Sequence, residues 1–282
     1  MNSINLSDRL AVCSWSLQAN DLQDLAAKLH TSLIQRVQLA LDPLRKSPST
    51  WSNAGEILQQ ANIEIVSGMF GCIGEDYSTL DSIRITGGVA PDTTWEHNLV
   101  NIRETVSLAV ALGLNLVTFH AGFVPHDPTA PAFHKMLERL SIISDIFAAE
   151  NINVGLETGQ ETAAELAVLL ESLDCTNLVV NFDPANMILY GKGDPIQALN
   201  LLAPWIQQVH IKDALPSSVQ GEWGEEVVVG EGDVDWSAFF ATLNKINFAG
   251  DLVIEREAGN QRLADINLAR RVILNCDNHH KI

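Results

Sequence analysis

The sequence predicts a single-domain α/β fold, a (β/α)8 TIM barrel, and three observations favour it. Short apolar runs alternate with longer amphipathic segments along the whole chain, the pattern of repeated βαβ units. The runs number eight, which is enough to close a barrel. The 282 residues, 46% of them hydrophobic, suit one barrel of roughly 250 residues, and no linker divides them. We therefore expect residues 1–282 to form one domain.

The predicted strands are rich in Val, Ile and Leu, as expected of parallel strands that are buried on both faces. They occupy residues 10–15, 35–41, 63–69, 116–120, 152–157, 178–183, 207–212 and 252–257. The intervening segments have apolar residues at helical spacing, for example Leu99, Ile102, Val106, Ala109 and Val110. A doubly wound open sheet is the alternative fold, but no G-x-G-x-x-G motif follows the first predicted strand.

Two predicted connections are long and are candidates for covering a ligand. They run from residue 70 to 96 and from residue 213 to 235, and both follow the C-terminal end of a predicted strand. Both are rich in Gly, Pro and acidic residues. Because long connections in compact domains frequently carry function, we expect these two to close over a substrate.

Composition and charge argue against several classes of protein. The chain has 17 Lys and Arg against 35 Asp and Glu, and the net charge of −18 opposes binding to a nucleic-acid backbone. It has no apolar run of about 18 residues and no signal-like N-terminus, so we expect a soluble cytoplasmic protein that does not bind membranes. The four cysteines are widely separated and should be reduced packing residues. The sequence leaves the oligomeric state open and is compatible with a homo-oligomer.

Four side chains lie at the C-terminal ends of the apolar runs of predicted strands five to eight, namely Glu157, Asp183, His210 and Glu255. A charged group at the tip of a buried strand must be solvated, paired or bound to a metal. Alone, such a residue more often caps a helix or faces water, and Asp183, which precedes a proline, could cap the next helix. Neighbouring strand ends lie about 5 Å apart, so four together favour one shared site. Three carboxylates and an imidazole suit one divalent metal ion, Mn, Mg, Co or Zn.

At these residues the chain resembles the xylose isomerase-like TIM barrel superfamily, which contains sugar and sugar phosphate isomerases and epimerases and the barrel-type apurinic endonucleases. The resemblance spans nearly the whole chain and is carried by five motifs in the family's order: GLETGQET, VNFDPANM, VHIKDA, VGEGDVDW and LVIERE. It implies a Glu, Asp, His, Glu metal site. It also implies that Glu157 and Glu255 act as acid and base in addition to binding the metal.

Departures from the family's patterns narrow the prediction. The apurinic endonucleases hold three zinc ions and need extra histidines, but this chain has Asn186 at the first of those positions and no histidine in residues 225–229. A three-zinc phosphodiesterase is therefore disfavoured. Many ketose epimerases of the family also have a histidine at the position of Asn186. They have an arginine soon after the strand-seven histidine, whereas this chain has no arginine there. The identity of the substrate is thus left open.

The predicted function is that of an enzyme, a divalent-metal-dependent sugar or sugar phosphate isomerase or epimerase. Such an enzyme removes a proton next to a carbonyl, and a cation that chelates the carbonyl and a neighbouring hydroxyl stabilises the enediolate. Glu157 and Glu255 would face each other across the substrate, so that one removes the proton and the other returns one to the opposite face. The expected partner is a small sugar or polyol.

Four further side chains are expected to bind the substrate. His120, which ends the fourth predicted strand, would bond a hydroxyl or serve as a hydrogen-bonded structural histidine. Asn186 can donate and accept hydrogen bonds to a hydroxyl, or else cap a helix or form a turn. Lys212 lies two residues after His210 and thus on the same strand face; it would steady negative charge, or pair with Asp213 or a neighbouring carboxylate. Trp15, at the end of the first predicted strand, would provide an apolar wall.

Other functions remain compatible with these residues. A metal-dependent dehydratase of an inosose-type ketone would begin with the same proton abstraction and then lose a β-hydroxyl. A hydride-shift isomerase would exchange little hydrogen with solvent, and a sugar-binding barrel would not turn over at all. A phosphate group would need backbone amides or basic side chains, for which Arg84, Gly87 and Gly88 are the candidate.

Overall fold

The computed structural model describes residues 6–219 and 221–279, and eight of its strands close into a parallel barrel. In chain order the strands are β1 (Leu10–Cys13), β2 (Arg36–Ala40), β3 (Glu64–Met69), β4 (Leu116–Phe119), β5 (Asn153–Glu157), β6 (Leu178–Phe182), β7 (Ile206–Ile211), β8 (Asp213–Leu215), β9 (Glu225–Val227) and β10 (Asp251–Ile254). The barrel order is β1, β10, β7, β6, β5, β4, β3, β2, while β8 and β9 form a separate antiparallel pair. The predicted single-domain (β/α)8 TIM barrel is confirmed.

All eight predicted barrel strands are present, but six of them end one to three residues earlier than predicted. The apolar character of the sequence continues past the last backbone pair, where the chain leaves the barrel. Trp15 shows the difference: it lies in a 3-10 turn, Ser14–Leu17, directly after β1. Glu255 likewise follows the last residue of β10.

The connections contain more helices than the eight predicted. In the described parts of the chain they are α1 (Leu22–Thr31), α2 (Asp42–Lys46), α3 (Pro48–Trp51), α4 (Ala54–Gln60), α5 (Leu80–Thr86), α6 (Asp92–Ala111), α7 (Pro131–Ala148), α8 (Ala163–Leu173), α9 (Pro184–Leu189), α10 (Pro195–Leu202), α11 (Trp236–Lys245) and α12 (Arg262–His279). Three of them divide the connection between β2 and β3. Pro43 and Pro48 lie in the first turns of α2 and α3, where proline is tolerated but a preceding helix cannot continue.

The two connections predicted to be long loops contain regular structure. Residues 70–96 include α5 and the first turn of α6. Helix α5 begins at a capping box between Thr79 and Ser82. Residues 213–235 include the pair β8 and β9. Local capping and pairing thus order segments whose composition suggested irregular loops.

The main hydrophobic core lies between the barrel and its helices, where side chains such as Val117, Val154 and Val180 are fully buried. Helix α6 contributes Ile102 and Ala109, whereas Val110, which the predicted apolar stripe included, is 48% exposed. None of the described helices is both long and apolar enough to cross a bilayer.

The barrel interior is much more polar than this outer core. A small apolar cluster of Ala11, Cys13 and Val253 lies inside it. The remaining interior carries buried polar side chains from several strands, namely Gln38, Ser67, Thr118, Asn181, Gln208 and His210. Because buried polar groups need partners, this layer must form an internal hydrogen-bond network.

Candidate metal centre and substrate cavity

The four residues predicted as metal ligands converge at the C-terminal end of the barrel. Glu157 is the last residue of β5, His210 lies in β7, and Asp183 and Glu255 directly follow β6 and β10. These four strands are neighbours in the barrel. All four side chains are buried, and one ligand atom from each lies within 4.8 Å of the others.

The atoms of this cluster have the spacing and the unmet bonding capacity that a divalent cation requires. His210 Nδ1 lies 3.4 Å from Glu157 Oε1, 3.4 Å from Glu255 Oε2 and 3.8 Å from Asp183 Oδ2. Ligands with metal bonds of about 2.0–2.2 Å adopt such mutual separations. Within the described residues, His210 Nδ1 and Asp183 Oδ2 are buried without a hydrogen-bond partner, which is costly unless something else binds them. The donor set therefore fits a divalent ion.

Asp183 combines the two roles that the sequence left open. Its Oδ1 accepts hydrogen bonds from the backbone of Ala185 at 2.8 Å and of Asn186 at 3.0 Å, which caps α9. Its Oδ2 points into the cluster. The helix cap thus fixes the carboxylate so that its other oxygen faces the imidazole of His210.

Lys212 is buried beside the cluster and is held by carboxylates. Its Nζ donates to Glu255 Oε2 at 2.8 Å, to Glu257 Oε2 at 2.8 Å and to Asn186 Oδ1 at 3.3 Å. Burial lowers the pKa of Lys212 because it disfavours the charged ammonium. The negative charges of Glu255 and Glu257 have a larger opposite effect, so the pKa lies well above its usual value. Burial likewise opposes ionisation of Glu255, yet Lys212 and His210 hold its pKa well below the usual range.

The other predicted substrate residues also contact the two glutamates. Asn186 Nδ2 donates to Glu157 Oε1 at 3.1 Å, and His120 Nε2 lies 3.6 Å from the same oxygen. Trp15 was expected to be an apolar wall only, but its Nε1 donates to Glu255 Oε1 at 2.8 Å. The sequence does not indicate this polar role, because nothing near Trp15 in the chain points to its partner 240 residues away.

Two amide side chains that the sequence did not indicate contact His210, and the first is Gln38 on β2. Its Oε1 lies 2.8 Å from His210 Nε2, and its Nε2 donates to Thr118 Oγ1 at 2.8 Å. The second is Asn181, whose Nδ2 lies 3.2 Å from Glu157 Oε2 and 3.0 Å from His210 Nε2.

The same network continues across the barrel. Gln208 Nε2 donates to Asn181 Oδ1 at 3.1 Å, and Ser67 Oγ on the opposite strand β3 donates to Gln208 Oε1 at 2.6 Å. The sequence contains one signal for these residues, because side chains two positions apart in a strand lie on the same face. Asn181 precedes Asp183 by two residues, and Gln208 precedes His210 by two.

A second group that could hold an ion, formed by Cys13, His210 and Glu255, is a poorer candidate. Cys13 Sγ lies 3.8 Å from His210 Nε2, the nitrogen that faces Gln38. Burial raises the pKa of Cys13, and only a thiolate binds metal well. The carboxylate cluster therefore remains the better site.

The VGEGDVDW motif forms a loop that Asp213 anchors, and Asp213 does not pair with Lys212. Asp213 Oδ2 accepts from Gly230 N at 2.8 Å and from Trp236 Nε1 at 2.9 Å. Its Oδ1 accepts from Val234 N at 3.2 Å. The motif thus shapes the connection after β7 and leaves Lys212 to the cluster.

A cavity of about 500 Å³ opens above the cluster, which is the size of a small-molecule site. Tyr77 comes from the connection after β3, and Trp223 and Glu226 come from the connection after β7. Both connections that the sequence predicted as covers therefore contribute to the wall. Its lining also includes Trp15, Asp42, Phe70, Glu75, His120, Asn186, Tyr190, Lys212, Glu255 and Glu257.

Several curated proteins share sequence with this chain. An inosose dehydratase of Geobacillus kaustophilus is 25% identical over 228 residues, which cover 71% of this chain and 70% of that protein. The Escherichia coli protein YihM, described as uncharacterized, is 28% identical over 145 residues, 51% of this chain and 44% of its own length. A putative L-ribulose-5-phosphate 3-epimerase of Escherichia coli, SgbU, is 35% identical over 95 residues, 32% of each chain. The chain thus spans less than half the length of two of these relatives.

Solved structures share the fold over nearly the full chain. A xylose isomerase domain protein from Planctomyces limnophilus has a TM-score of 0.86 at 28% identity, covering 96% of this chain and 98% of that one. The IolI protein, solved with a zinc atom, has a TM-score of 0.73 at 15% identity, covering 95% and 97%. A family profile described as xylose isomerase-like TIM barrel matches residues 25–276. The chain belongs to the xylose isomerase-like TIM barrel family.

Proposed function

We propose that this chain is a divalent-metal-dependent enzyme that abstracts a proton next to the carbonyl of a sugar or polyol ketone, and that it acts as an isomerase or epimerase. The observation that carries the proposal is the convergence of three carboxylates with His210 Nδ1, in which two buried polar atoms of the described residues lack partners. Glu157, Asp183, His210 and Glu255 would hold the ion. When bound, it would supply Lewis-acid polarisation of the substrate carbonyl.

The surroundings of the two glutamates support different roles for them. Glu157 accepts hydrogen bonds from the neutral amides of Asn181 and Asn186. Glu255 is bound by Trp15 and by the ammonium of Lys212, which stabilise its carboxylate. We assign proton removal to Glu157, since charge-assisted bonds make Glu255 the weaker base.

Proton return belongs to the side of the site that holds Glu255. Lys212 donates to both Glu255 and Glu257, and the side chain of Glu257 is 53% exposed. This chain of contacts offers a route for a proton between Glu255 and water. His120 and Asn186 would bind substrate hydroxyls, and the indole of Trp15 would contact the carbon skeleton.

A dehydratase of an inosose-type ketone is the second candidate. The relative that matches 71% of this chain is an inosose dehydratase. The same base would remove the proton, and the Lys212 ammonium would protonate the departing β-hydroxyl, which leaves as water. Product mass separates the two reactions because only dehydration lowers it.

The test measures metal content, solvent deuterium uptake and product mass with a panel of ketoses, inososes and related polyol ketones. We expect stoichiometric divalent metal and deuterium uptake by the wild type. Glu157→Gln and Glu255→Gln should lose turnover by about 10²- to 10⁴-fold, while the exposed-site control Glu150→Gln should not. If both glutamine variants keep bound metal and wild-type turnover, the acid and base assignment is wrong.

Other outcomes point to other functions. Isomer formation without solvent deuterium would indicate a hydride shift. Ligand binding without turnover or exchange across the panel would indicate a binding protein. The cytoplasmic location and the possible homo-oligomer stay predictions, for which fractionation and light scattering are the measurements.

A further inference from the structure

We propose that the cavity selects neutral substrates, sugars or cyclic polyol ketones without phosphate or carboxylate groups. This inference rests on the proposed function and specifies the class of its substrate. Its basis is the distribution of charge around the cavity, where the lining lysine and the two nearby arginines already pair with carboxylates.

Lys212 is the single lysine or arginine that lines the cavity in the described part of the chain. It contacts Glu255, Glu257 and Asn186, so all three of its ammonium protons have acceptors within the protein. Binding a phosphate there would require breaking one of these buried charge-assisted bonds. Lys212 is therefore a poor anion site.

Two arginines lie near the cavity, but carboxylates stand between them and its interior. Arg45 Nη2 lies 2.6 Å from Asp42 Oδ1, and Arg256 Nη1 lies 2.8 Å from Glu226 Oε1. Asp42 and Glu226 line the cavity, whereas neither arginine does. A substrate thus meets the acidic partner of each pair.

Backbone amides at the rim are also occupied. Gly71 N donates to Asp42 Oδ2 at 3.0 Å, and Gly88 N donates to Glu75 Oε1 at 3.0 Å. Gly88 belongs to the segment that the sequence suggested for phosphate. The other two members are also engaged, since Gly87 N donates to the Ile83 carbonyl at 2.8 Å and Arg84 pairs with Asp81 at 3.2 Å.

The remaining wall suits a neutral ring that carries hydroxyl groups. The five carboxylates that line the cavity can accept hydrogen bonds from hydroxyl groups but repel anions; they are Asp42, Glu75, Glu226, Glu255 and Glu257. Aromatic side chains provide apolar faces for the carbon skeleton: Trp15, Phe70, Tyr77, Tyr190 and Trp223.

The experiment compares matched neutral and phosphorylated ligands on the metal-loaded chain. Deuterium exchange is measured with L-ribulose and L-ribulose 5-phosphate, and calorimetric binding with myo-inositol and its monophosphate. We expect the second-order rate constant for deuterium exchange to be at least about 100-fold higher for L-ribulose than for its phosphate. We expect myo-inositol to bind about tenfold more tightly than its monophosphate. Equal or better performance of the phosphorylated member in binding would overturn the inference, as would the absence of binding by both inositols.

The exchange arm tests the proposed function separately. If neither ribulose exchanges, the proposed chemistry has no support from this pair, while the inositol affinities still decide the charge preference. Metal content is measured in the same samples, so loss of the ion is recognised in both arms.

A variant pair tests whether the acidic wall sets the preference. Glu226→Gln removes one lining charge and weakens the neutralisation of Arg256, so the preference for the neutral ligand should fall about tenfold. Glu171→Gln makes the same change in net charge at an exposed position on α8 and should leave the preference unaltered. An unchanged preference in Glu226→Gln, or an equal change in both variants, would contradict the inference.

Discussion

The side-chain oxygen of Gln38 lies 2.8 Å from Nε2 of His210, a residue 172 positions later in the chain. Gln38 Nε2 donates to Thr118, which orients the amide so that its oxygen faces the imidazole. The amide nitrogen of Asn181 also lies 3.0 Å from Nε2, but the contact with the Gln38 oxygen is shorter and favours a proton on Nε2. The lone pair of Nδ1 is then directed toward the carboxylate cluster, where a metal ligand needs it.

Replacing Gln38 should therefore weaken metal binding without unfolding the chain. Gln38→Leu removes the acceptor for Nε2–H, and we expect divalent metal affinity to fall about 10- to 100-fold in titration calorimetry. Ser67→Ala is the control, because Ser67 belongs to the same interior network and bonds Gln208. Equal losses in both variants would show that general loosening of the interior explains the effect.

Lys212→Met should separate metal binding from turnover. Removal of the ammonium leaves the cluster more negative, so the affinity for a divalent cation should stay the same or rise. Turnover should fall by at least about 100-fold, because Glu255 and Glu257 lose the contact that joins them. The control is Lys245→Met on the surface of α11. A large loss of metal affinity in Lys212→Met would contradict this account.

The double role of Asp183 predicts different effects of two substitutions. In chelator-treated protein, Asp183→Ala should be less stable than Asp183→Asn by about 1 kcal/mol in urea unfolding, since only asparagine keeps a capping oxygen. Both variants should bind metal weakly. The control is Asp235, which caps α11 through Ala238 N. There the Ala and Asn variants should differ in stability but keep metal affinity.

Glu161 should make stability fall as pH rises. It is buried, and desolvation, only partly offset by Lys192, raises its pKa to about 8 from an ordinary value of 4.5. Between these values the folded chain binds the proton more strongly than the unfolded chain, so the free energy of unfolding decreases with pH, by at most about 1.4 kcal/mol per unit.

Glu161→Gln should remove this contribution. Urea unfolding of chelator-treated protein at about pH 5.5 and about pH 7.5 measures it as the difference in slope between wild type and variant. The variant should gain stability relative to wild type as pH rises, whereas Glu171→Gln should not. Parallel pH profiles for wild type and Glu161→Gln would refute the assignment.

The sequence predicted the barrel because its buried parallel strands have a local signature of short apolar runs. It also indicated the four residues of the cluster, since each lies at or next to the C-terminal end of such a run. The extra helices α2 and α3 were missed although Pro43 and Pro48 mark their starts, because segments of four or five residues carry too little periodicity.

The partners of the cluster were beyond local patterns. Gln38 lies between Val37 and Leu39 in β2, and its importance depends on His210 and Thr118, which the barrel closure brings beside it. Lys212 was expected to contact substrate or a carboxylate, but the choice of Glu255 and Glu257 depends on the course of two loops. Such non-local contacts follow from the closed barrel and cannot be inferred from spacing in one strand.

The polar interior of the barrel also has an evolutionary consequence. Consecutive hydrogen bonds across the lumen join Ser67, Gln208 and Asn181. A change at one of these positions therefore leaves a donor or acceptor on a distant β-strand without its partner. Single replacements there should be selected against, whereas compensated pairs should survive. Relatives are thus expected to vary at these positions in concert, with the epistasis strongest between residues that share a bond.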